Sequence, residues 1–427
     1  MIEQIPISRT IPVNFSLKKY FRFIENFISF SLIKAIDAVI PLIIIPYLIS
    51  VVGTKNYGIY AFAFALVFYL MNIIQYGFTL SAVRLIATNR DDKNELNQIY
   101  NKVFTTQIYL TIAVLLLLAG LVVFIDIFNR DYIIYLFFVI LIIGELMTPI
   151  WFFLGVEKMR YITMINLLSK STFAVLTFIF IQKESDYIFI SLFQSIGYII
   201  SGIAAQIIIF KSFKLSFYIA KITDVKYMLK DGISAFLTLI TPTIYTNTSI
   251  FLIGFFGVPQ YVSYMQIGSK VSGAFSVLNT ILTNIFFPIL NRNKGIFNKV
   301  KYIFLSMGFL LSLIMFFCSE YLISLWIQED YSEIVLVVKL LSPTPLLSSI
   351  ISIFGVNGLL IHKKDRLYMI IVAIGSISGL LSALILIPKY FYIGGAISIV
   401  TALSIKAVLS FIYNNRVVKE LIEPNEI

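Results

Sequence analysis

Histidine and cysteine, the residues that anchor much enzyme and metal chemistry, are almost missing from this chain. Among 427 residues there is one histidine, His362, and one cysteine, Cys318. The single cysteine rules out an intramolecular disulfide, and one imidazole plus one thiol leaves no basis for a metal centre or cofactor anchor. Charge is scarce too, at 13% Asp, Glu, Lys and Arg. The sequence has no glycine-rich phosphate loop, no HExxH, no serine–histidine pairing and no carboxylate cluster. No polar connection on the less basic side exceeds about 14 residues, counting 320–333. There is thus no sizeable outer domain of the kind a polymer-building membrane enzyme uses.

Apolar sequence fills the space instead. The chain is 59% hydrophobic, with a mean hydropathy of +0.93, more than one soluble core can bury. Cutting at the long apolar runs predicts twelve membrane helices: 27–50, 57–83, 103–125, 132–154, 161–181, 187–210, 232–256, 261–290, 302–319, 334–361, 367–387 and 392–413. Crossing hydrocarbon takes about 20 apolar residues. Inside lipid the backbone must satisfy its own hydrogen bonds, so such runs read as helices.

Lys and Arg alternate between the connections. Segments 1–26, 84–102, 155–160, 211–231, 291–301, 362–366 and 414–427 hold 24 of the 33. The intervening connections hold only Lys55, Arg130, Lys183 and Lys389. Short basic loops stay cytoplasmic, which predicts both termini inside and an even helix count. The net charge of +11 is then a membrane-orientation signal facing anionic lipid headgroups, and no nucleic-acid partner is expected. The first 26 residues are polar and basic, with no apolar core before a cleavage site, so the first run is expected to act as its own insertion signal.

An internal repeat divides the chain. LISVVGTKNYGIY (48–60) aligns with LIGFFGVPQYVSY (252–264) at an offset of 204, sharing Leu, Ile, Gly and two Tyr. Six runs precede the basic connector 211–231 and six follow it. An even number per half gives both the same orientation, so the repeats are parallel. The expected divisions are a cytoplasmic segment 1–26, a lobe 27–210, the connector 211–231, a lobe 232–413 and a cytoplasmic tail 414–427. Gly53 and Gly257 suit turns with positive φ. The connector mixes Lys with Phe, Tyr and Ile and is expected to lie along the inner membrane surface, as hinge or tether.

Five lysines fall inside the runs: Lys34, Lys170, Lys270, Lys339 and Lys406. Each facing lipid would cost about 2.5–3.5 kcal/mol, or on the order of 15 kcal/mol together. A wet cavity is the expected alternative, with snorkelling open to Lys34 and Lys339. Thr163, Asn166 and Lys170 share a helix face, and Gln266 lies one turn before Lys270. Arg84 ends the second run. The carboxylates among these runs are Asp37 and Glu145, and Lys34 with Asp37 could pair at i, i+3. A cavity with this balance selects an anion. The diphosphate of a lipid-linked sugar fits, with Arg84, Lys34, Lys170, Lys270, Lys339 and Lys406 as candidate phosphate contacts. Asn166 and Gln266 are candidate sugar contacts. Pro41, Pro46, Pro149, Pro242, Pro288, Pro343 and Pro345 are expected to interrupt or kink their helices.

Stretch 46–87, PYLISVVGTKNYGIYAFAFALVFYLMNIIQYGFTLSAVRLIA, and its counterpart 231–292 carry a family resemblance. Pro46, Leu48, Gly53, Tyr57, Gly58 and Arg84 fit the first-half pattern, and Phe287 with Pro288 the second. Over nearly its whole length the chain resembles a polysaccharide flippase of the Wzx type, in the multidrug/oligosaccharidyl-lipid/polysaccharide exporter superfamily. The resemblance implies an all-α integral membrane protein of two six-helix lobes forming a V around a central cavity. It also implies alternating access and export of undecaprenyl-diphosphate-linked oligosaccharide across the bacterial inner membrane, with no catalytic residue, cofactor or metal. Coupling to an H+ or Na+ gradient is a family expectation, for which Asp37 and Glu145 are the candidate residues. Partners implied are membrane lipids, a polysaccharide polymerase and a chain-length regulator. A cation or multidrug exporter of the same superfamily and an integral-membrane polymerase are the alternative readings.

Overall fold

The computed structural model describes residues 17–325, 327 and 331–422. The side chains of 17–35, 37, 241–246 and 419–422 lie outside the described set, and with them the expected roles of Lys34 and Asp37. Every regular element among the described residues is helical. In chain order these are α1 Leu17–Gln75, α2 Ser81–Asn89, α3 Lys93–Phe124, α4 Asp126–Asn129, α5 Tyr132–Leu146, α6 Ile150–Gly155, α7 Met159–Phe180 and α8 Tyr187–Ser212. Then follow α9 Ile222–Phe256, α10 Pro259–Arg292, α11 Phe297–Ser324, α12 Tyr331–Leu341, α13 Thr344–Ile350, a π-helical segment Ile351–Leu360 and α14 Asp365–Ile422. Nine helical spans among the described residues are long and apolar enough to cross a membrane; Ala38–Gln75 takes in parts of the first two predicted runs, and Asp365–Val418 contains the last two.

Several predicted boundaries move for local reasons. The first two runs are continuous in α1, interrupted only at Gly53 with φ 76°, a conformation that costs glycine nothing. Its repeat partner Gly257 ends α9 at φ −114°, so positive φ is needed at one of the two turns only. The last two runs merge in α14 through Phe391. A Cβ on Gly394 would lie 2.6 Å from the backbone of Leu386; eight residues of straight helix span about 12 Å, so the chain folds back there. The second run ends at Gln75 rather than 83, because Tyr76 and Gly77 take positive φ. The third begins ten residues early, at Lys93, where the Asp92 side chain accepts the Asn94 and Glu95 amides as a helix N-cap does.

Proline behaves unevenly. Pro149 separates α5 from α6, and Pro343 separates α12 from α13. Pro41 and Pro46 sit within α1, and Pro288 within α10, without ending the helix. For these three the expected interruption does not occur.

The connector makes contacts that its composition did not announce. After Lys214, at φ 54°, residues 215–221 form no regular element and run along one face of α3. Asn97, Asn101 and Thr105, spaced by four, accept the amides of Ser216, Tyr218 and Ala220, spaced by two, at 2.8, 2.8 and 3.0 Å. Four helical residues rise about 6 Å and two extended residues about 6.6 Å, so the two periods match. Asn101 also donates to the Ser216 carbonyl at 2.8 Å, Lys102 pairs with Asp224 at 3.2 Å, and Leu215 and Met228 join a first-half core. Helix α9 accordingly starts ten residues before the seventh predicted run.

Apolar packing divides by depth. One cluster draws on both halves, from Leu48 and Val67 to Ile253, Val262 and Ile387. A second is built from residues 78–228 alone, and two more from the second half alone. The shared cluster surrounds the repeat turns at Gly53 and Gly257, while the separate ones lie toward the basic connections. Contact at the repeat turns is tight. A Cβ on Gly58 would fall 1.8 Å from the Pro259 carbonyl oxygen, so only glycine lets the backbones meet. The Ser263 hydroxyl donates to the Thr54 carbonyl, and Phe62, Phe128 and Phe251 pack as a mutual trio with ring centroids 5.8, 5.5 and 6.4 Å apart.

Candidate functional site: a cavity between the halves

Two cavities meet where α10 presents Gln266 and Lys270. The larger, about 430 Å³, lies among α1, α5, α7, α8 and α10, and Glu145, Asn166, Lys170, Gln194 and Tyr198 line it together with Gln266 and Lys270. The other, about 360 Å³, continues toward the second half, where Asn247, Ser269, Ser276, Thr344 and Ser348 supply neutral polar groups. Phe64 and Phe68 form wall in both. A third space, of about 330 Å³, leads sideways between Ala38 of α1 and the stretch of α10 from Ser269 to Thr280, again past Lys270.

Helical spacing explains these lining residues. Gln266, Ser269, Lys270, Gly273 and Ser276 fall on one stripe of α10, at i, i+3, i+4, i+7 and i+10. Asn166 and Lys170 form the matching stripe on α7. Glu145 is 9% exposed and accepts the Gln75 side-chain amide at 2.5 Å; Gln75 is the last residue of α1, so the chain's turn at Tyr76 fixes this bond. Tyr60 donates to Gln194 at 2.8 Å, and the Ser272 and Thr344 hydroxyls pair at 2.5 Å. Cations in a low-dielectric space favour an anionic guest, while hydroxyls, amides and aromatic faces suit a sugar.

Five predicted site residues therefore share one cavity: Glu145, Asn166, Lys170, Gln266 and Lys270. The others stand elsewhere. Arg84, on α2, is well exposed and faces Asp231 at 3.6 Å. Lys339 lies 3.8 Å from Glu320, away from the lining groups. Lys406 is 4% exposed and packs across Gly375 within α14. Sequence reasoning missed Gln194, Tyr198 and the serines of α10. The serine stripe was legible beside Gln266 and Lys270, whereas Gln194 and Tyr198 follow from how α8 turns toward α7. Asp126, Arg130 and Asp131 border a separate space by the repeat turns. There burial pushes the Asp131 carboxyl above the usual range, outweighing the opposing effects of Arg130 and the Tyr187 hydroxyl.

Comparisons with known proteins bear on this arrangement. The "Putative O-antigen transporter" of Escherichia coli (strain K12) is 29% identical over 406 residues, covering 92% of this chain and 97% of that protein. The protein of the same name from Shigella dysenteriae is 26% identical over 383 residues, covering 88% and 96%. Among solved structures, an inward closed form of the lipid II flippase MurJ superposes with a TM-score of 0.66 at 16% identity, covering 93% of this chain and 87% of the other. An inward-facing multidrug transporter of the MATE family gives 0.60 at 13% identity, covering 91% and 100%. These likenesses establish a transporter-type fold. Residues 23–294 match the family described as polysaccharide biosynthesis protein, and the chain belongs to that family.

Proposed function

We propose that the chain is a flippase that carries undecaprenyl-diphosphate-linked oligosaccharide, an O-antigen or capsule repeat unit, from the cytoplasmic to the outer leaflet of the bacterial inner membrane. One observation carries the reading: a single cavity between the halves gathers Lys170 from the first and Lys270 from the second, beside Asn166 and Gln266. The lysines would hold the diphosphate, the amides and hydroxyls the sugars, and the space between α1 and α10 would pass the lipid chain. The relatives named for O-antigen transport support this substrate class. Moving a bound headgroup calls for no bond to be made or broken, so the chain is not an enzyme.

In this reading twelve spans form two six-helix lobes, 27–210 and 232–413, joined by 211–231, with 1–26 and 414–427 in the cytoplasm. The shared apolar cluster at the repeat turns and the separate clusters toward the basic side support a V that opens inward. Alternating access then needs two states whose balance the substrate and an ion can bias. Glu145 in the cavity and Asp37, three residues before the lining residue Ile40, are the candidate coupling groups, for H+ or Na+. A polymerase and a chain-length regulator would act on the delivered unit. A multidrug exporter of organic cations suits the cavity less, since its described lining holds two lysines against one carboxylate.

Purified protein in vesicles, with lipid-linked oligosaccharide in the inner leaflet, provides the test. Lectin accessibility of the sugar at the outer leaflet should rise in wild-type vesicles and stay near protein-free levels with Lys170→Ala/Lys270→Ala. Equal rates in the two would refute the assignment of the cavity.

A further inference from the structure

Three spaces meet at one side chain, and each has a different chemistry. Lys270 lines the larger cavity, the second-half cavity and the side opening alike. The larger cavity adds Lys170 and Glu145 to it. In the second-half cavity Lys270 is the only charged group among the described lining residues. The polar groups of that wall are otherwise neutral, among them Asn247 of α9, Ser276 of α10, and Thr344 and Ser348 of α13. Phe64 and Phe68 of α1 complete it from the first half. The side opening has Ala38, Ala274 and Val277 beside the same lysine.

The neutral wall is held in shape by its own bonds. The Ser272 and Thr344 hydroxyls join α10 to α13 at 2.5 Å. Two turns further along α10, Asn279 donates to the Pro345 carbonyl at 2.8 Å and accepts the Ser349 hydroxyl at 2.7 Å. A wall fixed in this way orients a guest without first having to be ordered itself.

Gly273 stands one turn after Lys270, in the lining of both the second-half cavity and the side opening. A Cβ built on it meets no atom within 4 Å. Gly268, five residues earlier on the same helix, differs: its Cβ would fall 2.4 Å from Val337, so packing demands glycine there. Packing makes no such demand at Gly273, which lies inside α10, and glycine inside a helix weakens it. What the missing side chain leaves is room in the cavity beside Lys270.

The charge pattern assigns the parts of a guest. A diphosphate concentrates its charge at the link between lipid and sugar, and belongs between Lys170 and Lys270. The neutral polar space that opens from the same lysine is the second-half cavity, and the sugar next to the link fits there. Side-chain hydroxyls and amides both donate and accept, which matches sugar hydroxyls and acetamido groups. A sugar carboxylate would lose its water there, and Lys270, already facing the diphosphate, would be the one cation near it.

We propose that the second-half cavity is the subsite for the sugar attached to the diphosphate, that it takes an uncharged hexose or N-acetylhexosamine, and that the space at Gly273 sets the size of sugar admitted. This subsite rests on the flippase reading and refines it, dividing the substrate between two cavities.

Binding to the full chain in nanodiscs tests it, with undecaprenyl diphosphate, its N-acetylglucosamine derivative and its glucuronate derivative as ligands. Wild type should bind the N-acetylglucosamine compound about tenfold tighter than the bare diphosphate, the worth of one or two good hydrogen bonds. The glucuronate compound should gain nothing over the bare diphosphate. Gly273→Leu should melt no lower than wild type, bind the bare diphosphate equally well, and lose the gain from the sugar. Asn247→Ala should lose part of the same gain, and it carries the test if Gly273→Leu fails to fold. Variants that weaken both ligands equally, or neither, would overturn the subsite, as would a glucuronate compound bound as tightly as the N-acetylglucosamine one. Wild-type protein that binds none of the three would refute the flippase reading itself, whereas binding of the bare diphosphate with no gain from the sugar refutes only the subsite.

Discussion

On the proposed inward-opening arrangement, replacing Gly58 with alanine should force open the close contact between α1 and α10 at the repeat turns. The new methyl would meet the Pro259 carbonyl oxygen at 1.8 Å, its carbon at 2.5 Å and the Ser263 Oγ at 3.0 Å. Comfortable contact between such atoms is about 3.5 Å, so α1 and α10 must separate locally by roughly 1.5 Å. The nearest atoms belong to backbone and cannot rotate away. Overpacking of this kind costs about 1–3 kcal/mol, charged to the state in which the contact is made. A state less packed there gains about 5- to 150-fold in relative population. With Cys318 replaced by serine, a cysteine at Thr54 reports the opening through its rate of labelling by a membrane-impermeant maleimide from outside. Gly58→Ala should raise that rate at least fivefold and lower the melting midpoint. Gly120→Ala, whose methyl meets nothing within 4 Å, should change neither. An unchanged labelling rate in Gly58→Ala would refute the claim that this approach forms the seal.

Four further outcomes are expected. Asn101→Ala removes the bonds to the Ser216 carbonyl and the Tyr218 amide; it should destabilise the protein by about 1–3 kcal/mol and speed hydrogen exchange at Tyr218, where a freely tethered connector would respond to neither. Lys270→Ala should weaken binding of an undecaprenyl-diphosphate-linked sugar about tenfold or more, with Lys270→Arg retaining most of it, because a bond to a charged group is worth about 1.5–3 kcal/mol; equal binding by Lys270→Ala and wild type would remove Lys270 from the site. Lys339→Ala should leave transport intact, since Lys339 stands outside the cavity lining and lies 3.8 Å from Glu320; loss of lipid-linked sugar transport in that variant would place it on the substrate path. Burial raises the Asp131 carboxyl, so the folded state holds that proton more tightly than the unfolded chain, and stability falls as pH climbs from the ordinary carboxylate range through the raised value. Asp131→Asn should therefore melt higher than wild type at neutral pH, with the gap closing in acid; a gap independent of pH would contradict the assignment.

Apolar run length and charge alternation made the helices and the central lysine pair legible, because burying a charge in lipid is costly enough to constrain sequence. Lys170 and Lys270 could be read from their polar neighbours at helical spacing. Arg84, Lys339 and Lys406 could not, since their surroundings depend on helices distant in the chain: Asp231, Glu320 and Gly375 become neighbours only when the helices pack. The connector's anchorage was hidden for a related reason: the asparagine and threonine ladder that holds it lies a hundred residues upstream on α3. The early start of α3 was there to be read, as Asp92 stands three residues before Glu95. The different fates of Pro149 and Pro288 were not, because a helix keeps or loses its path at proline according to what packs beside it.

The most direct test of the flippase reading is made in the native host with this gene deleted, by measuring the amount and sidedness of undecaprenyl-linked oligosaccharide together with the surface polymer. Single repeat units should accumulate on the cytoplasmic face while the surface polysaccharide disappears, and the wild-type gene should restore both where Lys170→Ala/Lys270→Ala does not. Repeat units that still reach the outer leaflet but remain unpolymerised would contradict it, and would place the protein after translocation.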